Sequence, residues 1–157
     1  MNAIETRLAA LGHVLPKPVA PVANYLPYIV SGNLVFIAGQ VSLSADGILA
    51  KGRLGENLSV EQGQEAARYC ALNLIAQMKS ACGGDLGRVK RIVKVGGFVC
   101  AGAQNTAVDI PKIINGCSDL LVDVFGDAGK HARFAVGSPS LPLDCAVEID
   151  AIVEIEV

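Results

Sequence analysis

The sequence is poor in charge and in histidine. Only 18% of its residues are charged, and the 157 residues include two histidines. The net charge is −2 and the pI about 5.6, so the chain lacks the basic excess that neutralises nucleic-acid phosphates. Its short basic stretch, residues 88–94, is interrupted by valine and isoleucine, and we interpret it as the solvated edge of a strand. This balance argues against a nucleic-acid-binding protein.

Long apolar runs and paired cysteines are also missing. No run approaches the 18 apolar residues of a membrane-spanning helix, and the N-terminal "MNAIETRLAALGHVLP" predicts a short helix rather than a signal peptide. The five cysteines are odd in number, widely spaced and without a CxxC motif, so neither a disulfide framework nor a zinc site is indicated. Isolated cysteines are typical of buried thiols in a reducing compartment. We therefore expect a cytoplasmic protein without a metal or a membrane partner.

Apolar residues, in contrast, make up 52% of the chain, which is enough for a substantial core. The length suggests one domain over residues 1–157, with residues 1–24 forming an N-terminal helix and a proline-rich extension. Helical spacing of apolar residues predicts a short helix over 3–11 and two long helices over 60–82 and 109–125. We interpret Asn105 as a turn residue before the last helix.

The ends of the two long helices carry recognisable signals. Ser59 and Gln62 form a capping box at the start of the first. Asp109 is predicted to cap the second, with Pro111 in its first turn and Gly126 at its end.

Strand patterns surround these helices. They predict a hairpin around "SGN" in residues 28–38, a short strand near Ile48, a long strand over 88–101 that contains Gly96 and Gly97, and two C-terminal strands over 131–136 and 145–157. Together the elements predict an α+β fold with two main helices on one face of a mixed sheet. Since the last strand alternates so clearly, its second face, with Glu148 and Ile152, lies opposite the core. We expect that face to pack against another subunit.

One constellation in the C-terminal strands suggests chemistry. If the two strands form an antiparallel hairpin across "GSPSLPLD", a symmetric register places Arg133 opposite Glu148 and Phe134 opposite Val147. The pair is then either a structural salt bridge or a site whose guanidinium holds the carboxylate of a small substrate through two parallel hydrogen bonds. His131 would share the face of Arg133, and we interpret it as a strand-end residue rather than a general base.

Three segments resemble the Rid/YjgF family, whose members are also labelled L-PSP endoribonucleases or translation initiation inhibitors. They are "FIAGQVSLSADG", "VEQGQEAARYCALNLIAQMKSACGGDLGRVKRIVKVGGFV" and "ARFAVGSPSLPLDCAVEIDAIV". The resemblance runs from about Tyr28 to Val153. The N-terminal extension and the "AGAQNTAVD" region are similar to a longer subfamily.

This resemblance implies a chorismate-mutase-like fold, a homotrimer with three clefts between subunits, and hydrolysis of imines and enamines derived from amino acids. Such deaminases need no cofactor, and their partner is a small carboxylate-bearing metabolite. By resemblance, Arg133 binds the substrate carboxylate and Glu148 positions the attacking water. Tyr28, Gly39 and Asn115 match other cleft positions of the family, although we interpret Gly39 as a close backbone approach inside its strand.

Two cleft positions depart from the short archetype of the family. Ala38 stands where the archetype has a serine, and Ala135 where it has a cysteine. Both changes remove polar groups, so the substrate is larger or more apolar, or the chain binds a small carboxylate without turning it over. An endoribonuclease or translation inhibitor remains a third alternative, which comes from the family labels alone.

Overall fold

The computed structural model describes residues 2–102 and 106–157, so the turn predicted at Asn105 lies outside the described residues. Within these two ranges three α-helices and seven strands follow one another: α1 (Ala3–Ala10), β1 (Tyr28–Ser31), β2 (Leu34–Val41), β3 (Leu43–Ser44), β4 (Gly47–Ile48), α2 (Val60–Ala81), β5 (Val89–Cys100), α3 (Asp109–Phe125), β6 (Ala132–Ser138) and β7 (Val147–Ile155). Short 3₁₀ turns precede β5, follow α3 and precede β7. These elements confirm the predicted α+β class.

The predicted helix signals hold for α2 and only partly for α3. Ser59 and Gln62 make the reciprocal bonds of a capping box at the start of α2. Gly126 ends α3 with a φ of 63°, which favours glycine. The prediction that Asp109 caps α3 is wrong: Asp109 is already the first residue of the helix. Its carboxylate instead accepts a hydrogen bond from Lys112 Nζ at 2.9 Å, which stabilises the first turn.

Five strands form a mixed sheet in the order β1-β2-β7-β5-β6. β6 pairs with β5 in parallel, and all the other neighbours in this sheet are antiparallel. β3 and β4 form a separate two-stranded hairpin. Because parallel neighbours need a long crossover, α3 connects β5 to β6 and packs over them.

The predicted hairpin between the last two strands is therefore wrong. β5 lies between β6 and β7, so Arg133 is aligned with Val95 and Glu148 with Phe98. The physical reason is the strand-helix-strand order of β5, α3 and β6, which favours parallel pairing across a helix over pairing with the next strand in sequence.

The sheet has one covered and one open face. The helices cover the first, where β7 contributes its alternating buried residues, as its sequence predicts: Val147, Ile149, Ala151, Val153 and Ile155. On the open face Phe36, Phe98 and Phe134 are 43%, 37% and 36% exposed. Phe98 and Phe134 pack edge to face with ring centroids 5.6 Å apart. The open face of this single chain thus exposes aromatic surface.

All five cysteines are buried and unpaired. Burial raises the pKa of Cys117 and of Cys145 to about 12, because a thiolate in either place would be cut off from water. None of the described helices is long and apolar enough to cross a membrane.

Close contact between α2 and α3 depends on two glycines. A Cβ added at Gly116 would overlap the backbone carbonyl of Gln64 on α2, whereas one added at Gly63 would meet the movable end of Ile113 at 2.5 Å. Helix backbones can approach this closely only where one of them lacks a side chain. The two glycines therefore set how tightly the helical layer lies on the sheet.

We expect Gly116→Ala to lower the free energy of unfolding by about 1–3 kcal/mol, because the backbone of α2 must move to admit the methyl group. That loss exceeds the gain of about 1 kcal/mol that alanine gives in a helix. Urea denaturation measures the difference. Gly63→Ala is the matched control, and its effect should be smaller because a side-chain end can yield. A Gly116→Ala variant as stable as wild type would contradict this account of the helix contact.

Candidate functional site

Arg133 lies on β6 and turns its side chain to the covered side of the sheet, where α3 receives it. Its Nη1 donates to Ser118 Oγ at 3.0 Å and its Nη2 to the carbonyl oxygen of Pro111 at 3.2 Å. A guanidinium has five N–H donors, so these two bonds leave three for another partner. Within the described residues Arg133 forms no salt bridge. The cation is therefore held in place while part of its donor set is still available.

Two of the predicted cleft residues lie beside this arginine. Asn115 is exposed on α3, four residues after Pro111 and three before Ser118, so all three share one stripe of the helix. Ala135 is two residues beyond Arg133 on β6, on the same face, and packs partly against the core. The structure thus brings Arg133, Asn115 and Ala135 together at the β6 edge of the sheet.

Glu148 lies on β7 and faces the open side of the sheet. It is half-buried, with Val41 of β2 and Phe98 of β5 as its cross-strand neighbours. Burial raises the pKa of Glu148, and the nearby Asp150 carboxylate raises it further. A carboxyl group whose pKa is raised in this way exchanges protons more readily near neutral pH than an exposed one.

Gly39 makes room for this carboxylate. It lies where the β2–β7 register shifts between Ile37 and Gln40. A Cβ added at Gly39 would lie 2.5 Å from Glu148 Oε1. Gly39 is therefore a point of close approach, but the group that approaches it is the side-chain carboxylate of Glu148 and not another stretch of backbone.

Ala38 and Tyr28 lie beyond this carboxylate, toward the β1 edge. Ala38 belongs to the same irregular part of β2, and its N–H donates to the carbonyl oxygen of Pro27 at 2.9 Å. Tyr28 begins β1, and its hydroxyl lies 3.2 Å from Ser80 Oγ on α2.

The predicted site residues do not form one cluster within a single chain. Arg133 is on the covered face at the β6 edge, and Glu148 is on the open face two strands away, or about 10 Å between the strand backbones. Tyr28 is on β1, at the opposite edge from β6. The same-face pairing of Arg133 with Glu148 predicted from the sequence is therefore wrong for one chain.

Sequence reasoning missed Ser118, which accepts a hydrogen bond from Arg133. Its helical spacing from Pro111 and Asn115 becomes informative only once α3 is known to pack over β6. Among the described residues no three His, Cys, Asp or Glu side chains lie close enough together to hold a metal ion.

Comparison with known proteins gives a consistent result over almost the whole chain. Residues 5–155 match the family described as "YjgF/chorismate mutase-like, putative endoribonuclease". The chain is 44% identical to Protein TCP17 of Trypanosoma cruzi over 153 residues, which is 97% of this chain and 94% of that protein. The crystal structure of protein Atu1372 from Agrobacterium tumefaciens is 44% identical, with a TM-score of 0.90 over 98% of this chain and 94% of the other.

A more distant similarity concerns a structure that contains a ligand. The crystal structure of E. coli TdcF with bound serine is 25% identical and has a TM-score of 0.57, over 90% of this chain and 94% of TdcF.

The raised pKa of Glu148 predicts a pH dependence of stability. Because the folded state holds this proton more tightly than the unfolded state does, its contribution is complete below the ordinary value of 4.5 and is lost as pH rises through the folded pKa. Glutamine does not titrate, so Glu148→Gln removes this loss of stability at higher pH. The variant should therefore gain stability relative to wild type between pH 4 and pH 7, by less than about 1 kcal/mol since the carboxyl is half exposed.

Urea denaturation at several pH values measures this difference. Asp150→Asn serves as the comparison variant, because it removes only the smaller of the two causes and should give a smaller change. Parallel pH profiles for wild type and Glu148→Gln would contradict the raised pKa.

Proposed function

Because the chain belongs to the YjgF/chorismate mutase-like family, we propose that it hydrolyses reactive imines and enamines derived from amino acids, without a cofactor. The observation that carries the proposal is the position of Arg133, whose guanidinium is held against α3 by two hydrogen bonds and has three N–H donors still available. The bound serine of TdcF adds support, since serine is a small carboxylate-bearing amino acid. Arg133 would bind the substrate carboxylate through two parallel hydrogen bonds.

The chemistry requires little more than positioning and one proton acceptor. Glu148 would take a proton from a water molecule as that water attacks the imine carbon. That proton passes to the nitrogen, so the substrate carbon then carries a hydroxyl and an amino group. Glu148 would next transfer the hydroxyl proton to the amino group, the carbon–nitrogen bond breaks as the carbonyl forms, and a keto acid and ammonia leave. The raised pKa of Glu148 suits a group that must both accept and return a proton.

A site that contains both residues requires two chains, because Arg133 and Glu148 lie on opposite faces of one sheet. The open face with Phe36, Phe98 and Phe134 gives a reason for such an assembly, since exposed aromatic clusters of this kind favour association. We therefore propose a homotrimer in which the β6 edge of one subunit approaches the open face of the next. Its clefts would restrict water and strengthen the attraction between Arg133 and a carboxylate. The unpaired cysteines fit a reducing compartment such as the cytoplasm.

A second candidate function is carboxylate binding without turnover. It is favoured by Ala38 and Ala135, which put methyl groups where hydroxyl and thiol groups of the family archetype would contact a ligand. In that case Arg133 would still hold the carboxylate, but nothing would be hydrolysed. The endoribonuclease label of the family is less compatible with a net charge of −2.

Replacement of Arg133 tests the assigned chemistry directly. We expect Arg133→Ala to lower kcat/KM for freshly generated 2-iminoacids by about 10- to 100-fold, the effect of losing two charge-assisted hydrogen bonds. Ammonia and keto acid release report the rate. Arg68→Ala, on the exposed surface of α2, is the matched control and should match wild type. Wild type that binds a keto acid through Arg133 yet hydrolyses no imine would favour the binding function, and equal rates for wild type and Arg133→Ala would refute hydrolysis at this site.

The two-chain site makes a separate prediction. Arg133→Ala and Glu148→Gln should each lose most of the activity alone, whereas trimers that contain both variants regain roughly a third of wild-type activity, since each mixed trimer rebuilds one intact site in three. Coexpression with two affinity tags isolates the mixed assemblies, and light scattering gives their mass. Each variant refolded by itself, without the other, is the control and should show no such recovery of activity. Mixed trimers without activity would place both residues of a site in one chain, and a fully active monomer would refute the assembly.

A further inference from the structure

Arg133 is held by a continuous chain of hydrogen bonds that extends to His131. Ser118 Oγ, which accepts from Arg133 Nη1, lies 2.9 Å from His131 Nε2. The other ring nitrogen, His131 Nδ1, lies 2.6 Å from the carbonyl oxygen of Gly129. No role in binding or catalysis has been assigned to Ser118 or His131 in the proposed function.

The direction of these bonds follows from the groups involved. The Gly129 carbonyl can only accept, so His131 Nδ1 must carry a proton and donate it. In the neutral ring Nε2 is then an acceptor, and the Ser118 hydroxyl donates to it. The remaining lone pairs of Ser118 Oγ point away from that bond and receive Arg133 Nη1. Each of these three hydrogen bonds thus joins one donor to one acceptor.

This arrangement fixes the plane of the guanidinium. Pro111 and Ser118 are seven residues apart, about two turns along one stripe of α3, and they hold Nη2 and Nη1 respectively. Because the two nitrogens are held at separate points, the guanidinium cannot rotate about the bond that joins it to the rest of the side chain. An arginine fixed in this way loses less freedom when it binds a carboxylate, so binding is stronger.

We propose that Ser118 and His131 are positioning residues that fix the guanidinium of Arg133 for its carboxylate ligand. The identity of that ligand rests on the proposed function, whereas the fixing of the guanidinium does not. His131 acts through Ser118: it holds the hydroxyl in the one rotation that presents a lone pair to Arg133.

A purely structural role for His131 would run through its other nitrogen, as an anchor for the turn at Gly129. That turn is already fixed by backbone packing, because a Cβ added at Gly129 would overlap the carbonyl of Leu121. The two roles can be separated by amide side chains. Glutamine places its amide near the position of Nε2 and keeps an acceptor for Ser118, whereas asparagine places its amide near Nδ1 and keeps only the donor to Gly129.

The test uses pyruvate as the carboxylate probe, with titration calorimetry of the full-length protein. Ser118→Ala and His131→Asn should each weaken pyruvate binding and raise KM for 2-iminoacids by about 3- to 10-fold, with kcat little changed. His131→Gln should stay close to wild type. Ser118→Ala combined with His131→Asn should be no worse than Ser118→Ala alone, because His131 acts through that hydroxyl. His13→Ala, which replaces the other histidine, is the matched control.

A second measurement does not depend on the ligand. Guanidinium ¹⁵N NMR, with Arg133→Lys to assign the signals, should show slow rotation at the Arg133 Nη groups of wild type and His131→Gln. The rotation should be fast in Ser118→Ala and His131→Asn.

Identical rotation and affinity across all variants would overturn the proposal and leave the proposed function intact. Slow rotation in a wild type that neither binds pyruvate nor hydrolyses imines would refute the proposed function and support the positioning role. If His131→Gln binds pyruvate weakly and shows fast rotation while His131→Asn behaves as wild type, the histidine only anchors its turn.

Discussion

Seven aligned residue pairs hold β6 parallel to β5 at one edge of the sheet. This pairing requires a crossover, and the crossover is α3, so the stripe of α3 with Pro111 and Ser118 comes to lie over β6. The arginine on β6 then meets a helix instead of a carboxylate. The same pairing puts β5 between β6 and β7 and separates Arg133 from Glu148 by the thickness of the sheet as well as by two strands.

Arg133 and Glu148 consequently lie in different surroundings. Arg133 donates hydrogen bonds to two neutral oxygens, a hydroxyl and a carbonyl, which orient its guanidinium without neutralising its charge. Glu148 is instead weakened as an acid by burial and by Asp150, and Gly39 admits its carboxylate against the backbone. If the two groups met in one chain they would form a salt bridge and neutralise each other. Because they lie on different faces of the sheet, neither group neutralises the other.

Local signals in the sequence were sufficient for most of the secondary structure. The capping box at Ser59 depends on residues three apart, and the alternation of β7 depends on residues two apart, so both could be recognised directly. The order of the strands could not be obtained in this way, because alternation reveals which face of a strand is buried but not which strand is its neighbour. The matched pairs Arg133/Glu148 and Phe134/Val147 suggested a hairpin only because each strand separately alternates. Ser118 was missed for the same reason, since its role depends on where α3 lies.

The five buried thiols have a practical consequence for following the motions of this protein. A thiol reacts with an alkylating reagent only as an exposed thiolate, and each of these cysteines is shielded in the native fold. Cys70 lies within α2 and Cys82 just after its last residue, Cys117 lies within α3, Cys100 ends β5 and Cys145 lies just before β7. Pulsed alkylation read out by mass spectrometry would therefore report the opening of each region separately, with natural residues as the labels.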